Sequence, residues 1–305
     1  MFGHVTRSVA SSHGVSVAVY DEPAGRGAAG GVPSSGSSVR RARDATLLYS
    51  HATGFHGRVF VPVAERLGDF DQTTFDYRGF GDTAAPGGWP LAWDGFGDDA
   101  LAVARSTVEF NQGRRLVGIG HSMGGAGLVM AALREPTLFA SLVLFEPIIF
   151  PPDVRDQAGR ANPLADVTRR RRRTFGSFDE ALGNFSSKPP LASLAPSALE
   201  AYVRHGFVQR PDGVHIKCDP EFEARTYEMG AMHDTWQRLG ELQVDTWVLA
   251  GAHAPSSPAA IAPRIAELLP RSTFVEWPDR GHFGPLEDPT RFAQFVADVA
   301  DSDAG

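Results

Sequence analysis

The sequence predicts an α/β fold: a mostly parallel sheet covered by helices on both faces, with a helical insertion over one end. Three observations carry this. Short apolar runs alternate with helical patterns through residues 45–148, and again after residue 245. The runs are apolar at nearly every position, as strands buried on both faces require. Between about residues 150 and 242 the strand pattern stops.

Taken in order, the chain opens with a Val-rich hairpin, "HVTRSVAS" and "VSVAVYDE" around the turn "SHG". "PAGRGAAGGVPSSGSSVRRARD" has almost nothing to bury and reads as a mobile surface excursion. "ATLLYSHA" and "DQTTFDYRG" read as strands, "DDALAVARSTVEFNQ" as a helix, "RRLVGIG" as a strand, "MGGAGLVMAALREP" as a helix and "ASLVLFEPI" as a strand. "DTWVLAGA", "AAIAPRIAELLP", "STFVEWP" and "PTRFAQFVADVADS" resume the alternation. In the insertion, "LADVTRRRRRTFGSFDEALGNF", "APSALEAYVRHGF" and "DPEFEARTYEMGAMHDTWQRL" read as helical, and no buried strand is expected. The expected division is a core over 1–150 and 243–305, with a helical cap over 151–242.

Composition narrows the function. With 305 residues, 42% of them hydrophobic, the chain can bury a sizeable core. A net charge of −7 gives no reason to expect nucleic-acid binding. The single cysteine, Cys218, allows no internal disulfide and reads as a structural thiol. No signal-like segment and no run long enough to span a membrane is visible, so a cytoplasmic location is expected. The run Arg169 to Arg173 could bind phosphate. On a helix, however, five successive side chains point all round the axis, and acidic residues flank them, so a solvated, ion-paired cap helix is expected.

The chemistry centres on "GIGHSMGG", residues 118–125. A Gly-x-Ser-x-Gly stretch between a buried strand and a helix is the nucleophile-elbow pattern. The tight turn lifts Ser122 above the sheet, and Gly120 and Gly124 are small because side chains there would collide. The following helix turns its unpaired N–H groups toward charge developing at the serine, which makes the Met123 amide an oxyanion donor. A serine needs a base, and the base needs an orienting acid. His282 in "WPDRGHFGPLEDP" follows the late strand "STFVEW", with Gly281 and Gly284 leaving room for its ring. The glycines of 118–125 lack the dinucleotide spacing, so no nucleotide cofactor is expected. His205, His215, His233 and His253 form no metal motif, and neither metal nor other cofactor is expected.

"SHATGFHG", "DYRGFGDT", "GHSMGG" and "GHFGPLEDP", in that order, resemble the α/β-hydrolase family over Val5 to about Val299, except the Gly/Ser-rich excursion and the cap. The resemblance implies an eight-stranded, mostly parallel sheet with a cap inserted after the sixth strand, Ser122 as nucleophile and His282 as base. It places the other oxyanion donor at the backbone N–H of Thr53, with Gly54 and Phe55 as alternatives because Ala52 departs from the usual His-Gly motif. His51 then orders the loop by hydrogen bonding. Asp76, Arg78 and Asp82 support the surrounding loops. The family usually has its acid after the seventh strand, but here Ala254 stands in that place. Some relatives carry it after the sixth, where Glu146 ends the apolar run "LVLF". A glutamate there is costly to bury unless paired, so Glu146 is the expected acid, against Asp279 or no acid at all.

The expected activity is cleavage of a carboxylic ester or lactone of a medium-sized small molecule. The cap's Phe175, Phe178, Phe185, Leu191, Tyr202, Phe207, Tyr227, Met229, Met232 and Trp236 suggest a mainly hydrophobic pocket for it. Serine at the elbow argues against the family members whose nucleophile is a carboxylate. Two other classes share the scaffold: carbon–carbon cleavage or cyclisation, and ligand binding with poor turnover.

Overall fold

Eleven strands occur in a computed structural model of the protein, which describes residues 1–25, 43–155, 163–230, 232–254 and 257–302. In chain order they are β1 (Arg7–Ala10), β2 (Ser16–Glu22), β3 (Ala45–Ser50), β4 (Asp71–Phe75), β5 (Arg115–His121), β6 (Ser141–Phe145), β7 (Thr174–Phe175), β8 (Phe207–Arg210), β9 (Gly213–Ile216), β10 (Asp245–Ala250) and β11 (Ser272–Glu276). Eight of them form one sheet in the order β1-β2-β4-β3-β5-β6-β10-β11. β1, β2 and β4 pair antiparallel. All later neighbours pair parallel.

Parallel neighbours need long crossovers, which the helices Asp94–Phe110, Met123–Arg134 and Ala262–Leu268 supply. Helices on both faces explain the continuous apolar runs. Along β6, Leu142 and Leu144 enter one core while Val143 and Phe145 enter the other. The last helix, Pro289–Ser302, buries Phe292, Ala293, Val296, Val299 and Ala300 along one side. It starts where Asp288 accepts a hydrogen bond from the Arg291 N–H at 3.0 Å, with Pro289 in its first turn.

The insertion between β6 and β10 differs from the all-helical expectation in two ways. First, β7, β9 and β8 form a small antiparallel sheet. Its strands have two to four residues and bury one apolar side chain each, Phe175, Phe207 and Val214, so no apolar run announces them. Gly213 closes the hairpin at φ +137°, where a Cβ would lie 2.5 Å or less from the Phe175 carbonyl oxygen. Second, residues 164–185 are not one helix. Pro163–Arg169 ends inside the arginine run, β7 follows, and Phe178–Ser186 begins at Ser177, whose hydroxyl accepts from the Glu180 N–H.

Of the Gly/Ser-rich excursion, residues 23–44, residues 26–42 lie outside the described residues. Among the described residues no helix is long and apolar enough to cross a membrane.

Candidate active site

β3, β5, β6, β10 and β11 are consecutive neighbours in the sheet, and the loops at their carboxyl ends converge. Open parallel sheets gather their ligands at this edge. Ser122 stands between β5 and the helix Met123–Arg134, with φ 56° and ψ −119°. A side chain on Gly120 would strike the backbone of Gly125, and one on Gly124 would strike the carbonyl of Ser50. Both glycines are therefore required by the crossing of strand, turn and helix.

The imidazole of His282 joins two residues from different strands. Its Nε2 lies 3.2 Å from Ser122 Oγ, and its Nδ1 lies 2.6 Å from Glu146 Oε2. A carboxylate oxygen can only accept, so Nδ1 carries the proton and Nε2 turns its lone pair to the serine. Glu146 follows β6 at φ 44° and is 1% exposed. Its other oxygen accepts from the Gly251 N–H at 2.8 Å, and its own N–H donates to the Leu249 carbonyl at 2.8 Å. Both carboxylate oxygens thus have donors, which a buried carboxylate needs. The competitor Asp279 is exposed and bound to Arg291, which holds its carboxyl below the usual range. Ala254 is exposed.

The glycines beside His282 also let its loop pack down. A Cβ on Gly281 would meet Glu287, and one on Gly284 would meet the Phe145 ring. His121 is a further site residue that the sequence reading did not assign. It is buried, and its Nε2 donates to the His282 carbonyl at 2.8 Å while its ring lies 5.0 Å from the His282 ring. Burial, reinforced by the neighbouring His282, holds its pKa well below the ordinary histidine value, so it stays neutral. The only signal for it was its place directly before Ser122.

On the β3 side, His51 accepts from the Tyr77 N–H at 3.0 Å and its Nδ1–H donates to the Ala52 carbonyl at 2.8 Å. This fixes the loop that carries Thr53. Met123 opens its helix, so its N–H has no acceptor within the helix. Asp76 accepts from Tyr20, from the Gly57 N–H and from the Asp82 N–H. Arg78 is paired with Asp99 in full burial, and Asp82 with Arg58 and Lys217.

A sequence profile of the Alpha/beta hydrolase family matches residues 47–295. The chain belongs to the alpha/beta hydrolase family. The abhydrolase domain-containing protein ACTT2-1 of Alternaria alternata is 25% identical over 229 residues, covering 62% of this chain and 84% of that protein. Among solved structures, E-2-(acetamidomethylene)succinate hydrolase superposes with a TM-score of 0.72 at 18% identity, over 97% of this chain and 98% of that one. A thermophilic esterase from Thermogutta terrifontis gives 0.66 at 20% identity, over 98% of each chain. These structural likenesses establish the shared fold.

In this alpha/beta hydrolase a cavity of about 550 Å³ lies between the insertion and the catalytic edge of the sheet. Thr53 and Phe55 from the loop after β3, and Phe283 next to His282, form part of its wall; Ser122 and His282 are not themselves in that wall. Of the ten apolar cap residues singled out from sequence, Phe185, Leu191, Tyr202 and Tyr227 line it. Phe175 and Phe207 instead pack against Phe185, and Met232 is exposed. Cys218 is a buried free thiol whose pKa burial pushes well up, and His215 and His233 are bonded within the insertion.

Proposed function

We propose that this alpha/beta hydrolase cleaves a carboxylic ester or lactone of a medium-sized small molecule through an acyl-enzyme on Ser122. The observation that carries the reading is the continuous contact from Ser122 Oγ through both His282 nitrogens to the buried carboxylate of Glu146. In the first step His282 Nε2 takes the hydroxyl proton as Ser122 Oγ attacks the carbonyl carbon. Glu146 holds the ring in the required tautomer and stabilises the imidazolium. The N–H groups of Thr53 and Met123 hold the oxyanion. His282 then protonates the leaving oxygen, and the tetrahedral species collapses to the acyl-enzyme. Water activated by the same nitrogen releases the acid. Residues 151–242 act as the cap that encloses the substrate.

The relatives called hydrolase or esterase support hydrolysis as the reaction type. The test is release of p-nitrophenol from p-nitrophenyl butyrate by wild type and Ser122→Ala. Wild type should turn over repeatedly and the variant should fall to near the buffer rate. Equal activity in the two proteins, or none in wild type, removes the reading.

A further inference from the structure

The helix that carries the start of the arginine run ends at Arg169, so the next three members are not spread around a helix axis. Arg170, Arg171 and Arg172 all line the cavity, and Lys188 joins them. The wall's one carboxylate is Glu223. This leaves a formal surplus of three positive charges around the cavity of a chain whose net charge is −7.

Two of the four cations are already committed. Arg171 is paired with Glu223, which is almost fully buried. Burial opposes the charge on Arg171, but its neighbours Tyr202, Glu223 and Cys218 together outweigh it and keep the guanidinium charged. Arg172 is paired with Glu180 outside the cavity and lies over the Phe175 ring. The other two face no carboxylate among the described residues. Arg170 has no ion pair there, and Lys188 Nζ donates only to the neutral Asn184 Oδ1 at 2.6 Å. Both are exposed and stand at the cavity's mouth. Val167, Phe185, Pro190 and Leu191 supply apolar wall, while Glu223 and Tyr227 stand against the Thr53 loop.

We propose that the substrate is amphipathic: an ester whose apolar acyl chain ends in a carboxylate. The ester carbonyl lies at Ser122, and the carboxylate is held at the mouth by Arg170 and Lys188. This rests on the hydrolase reading above and specifies its substrate class. A guanidinium and an ammonium offer a carboxylate charge-assisted hydrogen bonds, and an acidic surface elsewhere keeps anions from binding at random. Exposed pairs of this kind contribute modestly and weaken as salt rises.

The experiment compares mono-p-nitrophenyl suberate with p-nitrophenyl octanoate, whose acyl chains have equal length. Wild type should favour the suberate ester in kcat/KM by roughly fivefold, an advantage that shrinks with added salt. In the double variant Arg170→Gln/Lys188→Gln the ratio should fall to about one. Both esters are read on the same preparation, so loss of folded protein cancels. An octanoate preference in wild type, or a ratio the double variant leaves unchanged, overturns the proposal. Monomethyl suberate binding to Ser122→Ala, followed by calorimetry with and without Arg170→Gln/Lys188→Gln, decides the anion site without turnover. Binding lost in the combined variant supports it, and monomethyl suberate bound no better than methyl octanoate overturns it. If wild type cleaves neither ester and a fluorophosphonate leaves Ser122 unlabelled, the hydrolase reading fails, while the calorimetry still judges the cationic mouth.

Discussion

The edge of the sheet and the cap are built by opposite means. At the edge, position is set by backbone sterics and burial. Ser122 and Glu146, on neighbouring strands, both adopt positive φ, and both are held by main-chain hydrogen bonds to adjacent strands. In the cap, position is set by charge. Arg169 reaches Glu221 and Glu228, Arg171 reaches Glu223, Arg172 reaches Glu180 and Arg173 reaches Asp219. The contrast teaches where each region tolerates change. At the edge a side chain on Gly120 or Gly124 meets backbone, whereas most ion pairs of the insertion are exposed and contribute little each. The exception is Arg171–Glu223, which is buried and abuts Gly54 of the Thr53 loop.

The sharpest way to break the comparison is at the edge. Ser122→Ala should lower kcat/KM by at least about 10⁴-fold with an unchanged unfolding midpoint, since the hydroxyl is not part of the packing. Steady-state kinetics and urea unfolding check both halves. Glu146→Gln keeps an acceptor for the Gly251 N–H but removes the charge behind His282. It should cost about 10³- to 10⁴-fold in kcat, read by the same assay.

In the cap, Arg171→Met leaves Glu223 buried without its cation and should cost about 3–5 kcal/mol in unfolding free energy. Arg171→Met/Glu223→Gln should recover most of it, because the stranded charge is gone. Arg169→Met, in an exposed network, should leave the urea midpoint almost unchanged.

Stability also depends on pH. His51, His56, His121 and His233 are held by burial below the ordinary histidine pKa, and His205 is lowered to about 4. The unfolded chain therefore binds protons first as pH falls. Stability is complete above about pH 6.5 and is lost progressively toward pH 4. Urea midpoints at pH 7.5 and pH 5 check the sign: the lower pH should give the lower midpoint.

The same contrast explains what the sequence could disclose. β3, β5, β6 and β10 are legible because strands covered on both faces must be apolar throughout. Ser122 is legible because its turn demands glycines at fixed offsets. Glu146 stands out as a carboxylate ending an apolar run where Ala254 leaves the usual place without one. β7, β8 and β9 are too short and exposed to leave a pattern. The role of His121 depends on the His282 carbonyl, 161 residues away in sequence. The direction of the arginine run depends on where one helix stops, and boundaries are the least legible feature of any helix.

The most direct measurement is the rate at which a fluorophosphonate labels the protein, with the site mapped by peptide mass. A serine activated by His282 and Glu146 predicts one label, on Ser122, absent in Ser122→Ala and at least about 100-fold slower in Glu146→Gln. Labelling at another residue, or equal rates in wild type and Glu146→Gln, would contradict it.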